Sequence, residues 1–110
     1  MAQPKPLIFT ERANEKLLDI LIYAEETYSY HRAEKISRSF EEAFSRIEKT
    51  PDSFLRFEER IFPDVILREL IVEKTYRIIY QVLPQNTIIL DIYHTSRNLD
   101  DLWINLYPLK

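Results

Sequence analysis

Residues 67–97 read LRELIVEKTYRIIYQVLPQNTIILDIYHTSR, and this stretch decides the fold. From Val65 to Thr95 the chain is rich in Val, Ile, Tyr and Thr, the β-branched and aromatic residues that pack well on a pleated surface. The run divides into three predicted strands, at about 66–73, 76–83 and 87–95. Lys74-Thr75 and Pro84-Gln85-Asn86 are short connections, so neighbouring strands are expected to pair as antiparallel hairpins. Side chains alternate between the two faces of a strand. With a two-residue turn and then a three-residue turn, one face collects Leu67, Ile71, Ile78, Tyr80, Val82, Ile88, Leu90 and Ile92. That face is nearly all apolar and should carry the core. The other face collects Arg68, Leu70, Val72, Arg77, Ile79, Gln81, Ile89, Asp91 and Tyr93, with Arg77 and Asp91 placed as a possible pair. The expectation is therefore that Arg68 and Arg77 both point away from the helices. A one-residue slip or a bulge would exchange these assignments.

Working upstream, the pattern changes period. Leu7-Ile8-Phe9 follows Pro6 and reads as a short strand. Thr10 offers an N-cap, and apolar residues then recur at Ala13, Leu17, Leu18, Leu21, Ala24 and Tyr28, predicting an amphipathic helix over 11–28. Ser29 caps a second helix with Ala33, Ile36, Phe40, Ala43, Phe44 and Ile47 on one side. Thr50-Pro51 ends it, because the residue before a proline avoids the helical region. With so short a link, the two helices should form an antiparallel hairpin. The segment 51–64 is irregular yet carries Phe54, Leu55, Phe57, Ile61 and Phe62; it reads as a loop packed on the core or as a partner-binding surface. The fold class that follows is α+β, with the order β-α-α-β-β-β. An N-terminal strand and a helical hairpin precede a three-stranded antiparallel meander, and the helices lie on one face of the sheet. The N-terminal strand is expected to pair with the strand at 76–83 or the one at 66–73.

The chain has 110 residues, which fits a single domain over 1–110, with 45% apolar residues to fill one core. It has no cysteine, so disulfides, thiolate metal sites and cysteine nucleophiles are excluded, and no glycine, so a Gly-rich phosphate loop is excluded too. Residues 1–10 show no apolar run of the kind a signal peptide needs, and no stretch approaches membrane-helix length, so a cytoplasmic protein is expected. Net charge is −3, and no third of the chain forms a basic block of the sort that phosphate binding favours. The two histidines, His31 and His94, lie far apart in sequence and do not suggest a metal site, and no cofactor is expected. Tyr23, Tyr28 and Tyr30, near the helix turn, are candidate partner-facing residues.

Leu67-Arg68, Tyr76-Arg77-Ile78-Ile79-Tyr80 and His94 with Arg97, in that order after a Phe-Thr strand end and two helices, resemble the RelE/ParE toxin superfamily over residues 7–98. The resemblance implies the toxin half of a type II toxin–antitoxin system. RelE-like members cleave messenger RNA on the ribosome, whereas ParE-like plasmid-stabilisation toxins share the fold but act on DNA gyrase. On the RNase side it implies catalytic roles for Arg77, His94 and Arg97. Leu70, however, stands where those members carry a second basic residue, and the terminal tyrosine has no clear match at Trp103 or Tyr107. The incomplete set and the acidic balance favour the ParE-like side: gyrase inhibition by binding, with a ribosome-dependent endoribonuclease as the alternative. The residues expected to meet the target or partner are Arg68, Gln81, Asp91, Tyr93, Leu55, Phe57 and Ile61. A cognate antitoxin is the implied partner, in a homodimer or a heterotetramer with the antitoxin.

Overall fold

Two hydroxyls start the two helices. Thr10 Oγ1 accepts the Ala13 N–H at 3.0 Å, and Ser29 Oγ accepts the Arg32 N–H at 3.0 Å. Each satisfies a backbone donor that has no partner within its helix. The computed structural model describes residues 5–56 and 66–96. Its elements are β1 (Leu7–Phe9), α1 (Glu11–Thr27), α2 (Tyr30–Lys49), β2 (Leu67–Val72), β3 (Tyr76–Val82) and β4 (Thr87–His94), with a short 3-10 turn at Pro51–Ser53. Both helices and all four strands fall within about a residue of their predicted bounds.

The helices cover one face of a four-stranded sheet. α2 buries Ala33, Ile36, Phe40, Ala43 and Ile47, spaced three and four apart, against Val72, Ile78, Tyr80, Ile89 and Ile92. Aromatic rings fill the seam: Phe9 meets Phe44 edge-on at 4.9 Å, and Phe40 lies 5.5 Å from Tyr76. The Tyr80 hydroxyl crosses the buried layer and donates to Pro51 O at 2.7 Å, tying the 3-10 turn to the centre of β3. Pro51 is itself buried, so the chain leaving α2 folds back onto the sheet rather than away from it.

The strand order is β1-β4-β3-β2, with β3 antiparallel to both β2 and β4. β1 pairs with β4, in parallel, which corrects the expectation that it joins the strand at 76–83 or at 66–73. A backbone bond from Thr87 N to Pro6 O and another from Thr10 N to Ile89 O bracket that pairing. The sheet is thus mixed, with the antiparallel meander β2-β3-β4 at its heart.

Two irregularities decide which residues share a face. The β2–β3 turn is centred on Glu73 and Lys74, with φ 51° and 58°, rather than on Lys74-Thr75, and Val72 pairs with Tyr76. That one-residue change turns β2 over. Arg68, Leu70 and Val72 join the helix-side face, and Leu67, Glu69 and Ile71 take the far face. In β4, Ile79 pairs with Asp91 while Tyr80 pairs with Ile89, so Leu90 is an extra, bulged residue. Beyond the bulge the expected register holds, with Ile78 opposite Ile92; before it, Ile89 rather than Ile88 faces the helices. The expected placement of Arg68, Leu70, Val72 and Ile89 on the outer face is therefore corrected, as is that of Leu67, Ile71 and Ile88 on the inner one. Arg77, Ile79, Gln81, Asp91 and Tyr93 do lie on the far face.

Candidate functional site

The far face of the sheet centres on Arg77. Its cross-strand partner is Tyr93, and the guanidinium carbon lies 5.8 Å from the centre of the Tyr93 ring. Glu69, on β2, approaches Arg77 Nε to 3.6 Å, an ion pair just beyond hydrogen-bond length. Arg77 Nε and the Tyr93 hydroxyl are both buried polar atoms without a hydrogen-bond partner among the described residues. A buried, unpaired donor costs free energy comparable to a lost hydrogen bond, so such atoms mark a place where an acceptor is favoured. Burial pushes the Tyr93 phenol up to about 12, while the nearby Arg77 charge acts the other way. The phenol therefore stays protonated, and able to donate, at any physiological pH. Gln81 lies half-buried on the same face, opposite Leu67 on one side and Ile88 on the other.

Asp91 does different work. It is 1% exposed, and one carboxylate oxygen pairs with Arg12 Nε at 3.0 Å. The other accepts the Ile92 N–H at 2.8 Å, beyond the point where β1 stops at Phe9. The expected Arg77–Asp91 pair is replaced by two pairs, Arg77–Glu69 and Arg12–Asp91. Arg12 and Glu69 are the residues sequence reasoning missed. Arg12 and Asp91 are 79 positions apart and carry no local signal of each other. Glu69 would have emerged from the correct β2 register.

Arg68, expected beside Arg77, is on the helix side. Its Nη1 donates to Phe54 O at 2.8 Å, and its Nε lies 3.9 Å from Asp52, so it fastens the segment after α2 to β2. Leu70 packs against the core from the same side. His94 is exposed at the end of β4, opposite Tyr76. Its Nδ1 accepts the Ser96 N–H at 3.1 Å and lies 2.8 Å from the Ser96 hydroxyl. Because neighbouring residues of a strand face opposite ways, Tyr93 looks to the far face with Arg77 while His94 looks to the helix side. Leu55 is 75% exposed. Phe57, Ile61 and Arg97 lie outside the described residues. Among the described residues no three His, Asp or Glu side chains gather as metal ligands, and no helix is long and apolar enough to cross a membrane.

Residues 7–99 match the family model described as ParE toxin of type II toxin-antitoxin system, parDE. The chain belongs to the ParE toxin family. The order strand, helical hairpin, meander is the frame on which that match lies. A solved structure titled as the chromosomal ParDE TA system from P. aeruginosa superposes with a TM-score of 0.71 at 16% sequence identity, covering 86% of this chain and 100% of that one. At that identity the likeness speaks for the ParE fold alone. No curated protein sequence matches the chain at a significant level.

Proposed function

We propose that the chain is the toxin subunit of a type II toxin–antitoxin pair, that it inhibits DNA gyrase by binding, and that a cognate antitoxin neutralises it in the cytoplasm. One observation carries the choice of binding over RNA cleavage: Arg77 and His94 face opposite sides of the sheet. Cleavage at a ribose 2′-hydroxyl requires a proton acceptor, a proton donor and a cation to converge on one phosphate. Arg77 is moreover set against Glu69, Arg68 is held on the helix side, and the chain carries net charge −3. Each of these weakens a polyanion site, since phosphate contacts depend on uncompensated cations.

In this reading the far face is a docking floor for the target. The half-buried Arg77 donates to acceptor groups of the target with Gln81 beside it, while the buried Tyr93 ring backs Arg77 and Asp91 holds the bulge that aims Tyr93. Leu55 extends an apolar surface that the antitoxin covers, in a homodimeric or heterotetrameric assembly. A supercoiling assay with purified gyrase tests the reading. The wild-type chain is expected to inhibit supercoiling, and Arg77→Glu, verified as folded by circular dichroism, is expected to lose at least about tenfold in potency, the scale of one charged hydrogen bond. If gyrase runs unimpeded at high toxin excess while a translation extract stops and accumulates cleaved transcripts, the endoribonuclease alternative replaces it.

A further inference from the structure

A second surface, beside the ends of the strands, shares only Tyr93 with that reading. Between α1 and the ends of β3 and β4 lies an open cleft of about 360 Å³. It is lined by Lys16, Asp19, Ile20 and Tyr23 from α1, Tyr76 from β3 and Tyr93 and His94 from β4, among others. Four ring-bearing side chains, one carboxylate and one lysine thus line one concavity. Tyr76 and His94 meet edge-on at 6.1 Å, and Tyr23 meets Tyr28 edge-on at 6.4 Å, so the aromatic surface runs on from the cleft toward the tip of the helical hairpin. Tyr23, Tyr28 and Tyr30 are 61%, 68% and 68% exposed, and the core uses none of them.

Charge says what such a surface attracts. α1 carries Glu11, Glu15, Asp19, Glu25 and Glu26 against only Arg12 and Lys16, and Arg12 is committed to Asp91. The helix therefore presents exposed carboxylates to solvent, and one of them, Asp19, lines the aromatic cleft. Ring faces are electronegative and attract a guanidinium or ammonium placed over them; a carboxylate at the same spot completes the pairing. Ile20 gives the alkyl stem of such a side chain an apolar wall.

We propose that this cleft takes an arginine or lysine side chain from a basic segment of a protein partner, with Tyr23 and Tyr76 stacking on the cation and Asp19 pairing with it. An acidic segment is disfavoured by five carboxylates on α1. The cleft borders the far face at Tyr93, but the proposal rests on Asp19, Tyr23 and Tyr76 and does not depend on the gyrase reading.

The test uses the full chain and fluorescently labelled short peptides of alternating alanine with arginine, with lysine or with glutamate, read by anisotropy. The arginine or lysine peptide is expected to bind, more weakly as salt rises, and the glutamate peptide is expected not to. Asp19→Asn and Tyr23→Ala, both exposed changes, are each expected to weaken binding about fivefold, the scale of one exposed ion pair or cation–π contact. Glu48→Gln, at the far end of α2, removes the same charge as Asp19→Asn and is expected to leave affinity unchanged. Melting curves confirm that all three variants fold. Absence of binding by both basic peptides overturns the proposal. So does equal binding by Asp19→Asn and Tyr23→Ala, or an equal loss on Glu48→Gln, which would signify general attraction to an acidic surface. Self-association abolished by Tyr23→Ala without basic-peptide binding would assign the cleft to a second copy and likewise overturn it.

Discussion

Thr87 is fully buried, and its hydroxyl oxygen has no hydrogen-bond partner among the described residues. Valine has nearly the same shape without the polar atom. Thr87→Val is therefore expected to be neutral or to stabilise the chain by about 1 kcal/mol, read as the shift in a urea unfolding midpoint. A loss of more than about 1 kcal/mol would show that the hydroxyl does have a partner. Tyr80 is the opposite case. Its hydroxyl has a short bond to Pro51 O inside the core, so Tyr80→Phe strands a buried carbonyl and is expected to cost about 1–3 kcal/mol. The pair of measurements separates two buried hydroxyls that look alike in sequence and differ only in what the fold puts within reach. Arg68 and Arg77 make the same point at the site. Both are strand arginines nine residues apart, yet one fastens the segment after α2 and the other lies over a tyrosine on the opposite face.

At the scale of the element, the β2–β3 turn explains where the sequence misleads. A tight turn with both central residues at positive φ is usually built from Asn and Gly, and this chain has no glycine. Glu73 and Lys74 take those positions instead. Glu73 is held there from α2, where Arg32 Nη2 donates to it at 2.9 Å and the Ser39 hydroxyl at 2.7 Å. No local rule reveals such a clamp, so the sequence pattern places the turn centre one residue late and β2 on the opposite face. The strand's own pattern could not correct the slip. Leu67 and Ile71 on one face and Leu70 and Val72 on the other make either face acceptable to a core. Lys74→Gly is expected to stabilise the chain by about 0.5–1 kcal/mol, because glycine adopts positive φ without the steric cost and this gain exceeds its unfolded-state entropy. Glu73→Gly relieves the same strain but removes both clamps, so it is expected to be net destabilising. Denaturant unfolding of the two variants should move in opposite directions, and a destabilised Lys74→Gly would contradict the turn geometry. The clamp also has a pH signature. Burial raises the Glu73 carboxyl, but hydrogen bonds from Ser39 and Arg32, with the charges of Arg32 and Lys35, outweigh it and hold the group below its ordinary value. A carboxyl lowered in this way stabilises the fold above its unfolded value and loses that contribution as the pH falls through the folded one. The cost of Glu73→Gln is thus expected to be seen at neutral pH and to vanish in acid.

Across the whole molecule, the element order and the helical core were legible because two distinct periodicities, each bounded by caps and prolines, point to one architecture. The parallel pairing of β1 with β4 was not, since it joins residues eighty apart, and neither was the bulge at Leu90, whose carbonyl accepts the Thr10 hydroxyl from β1's end of the chain. The family likewise rests on a match over residues 7–99 rather than on the outward placement of Arg68, so it survives the loss of that placement. The same layered build carries tyrosines into the sheet from both sides: Tyr76 and Tyr80 on the helix face, Tyr93 on the far face. Burial raises all three phenols, Tyr93 to about 12 and Tyr80 further still. In the unfolded chain a tyrosine ionises near pH ~10. Between that value and the folded ones, the unfolded state releases protons that the native state retains, so alkali favours unfolding. Stability is expected to be level from neutral pH to ~10 and to fall steadily above it. Tyr93→Phe and Tyr80→Phe should each make that fall shallower by one proton's share, and the double variant by two, because the residues sit on separate faces without a shared partner. Melting temperatures measured across the alkaline range test this directly. A fall that is just as steep in the double variant would mean that neither phenol is withheld from water, and the buried far face around Arg77 would have to be redrawn.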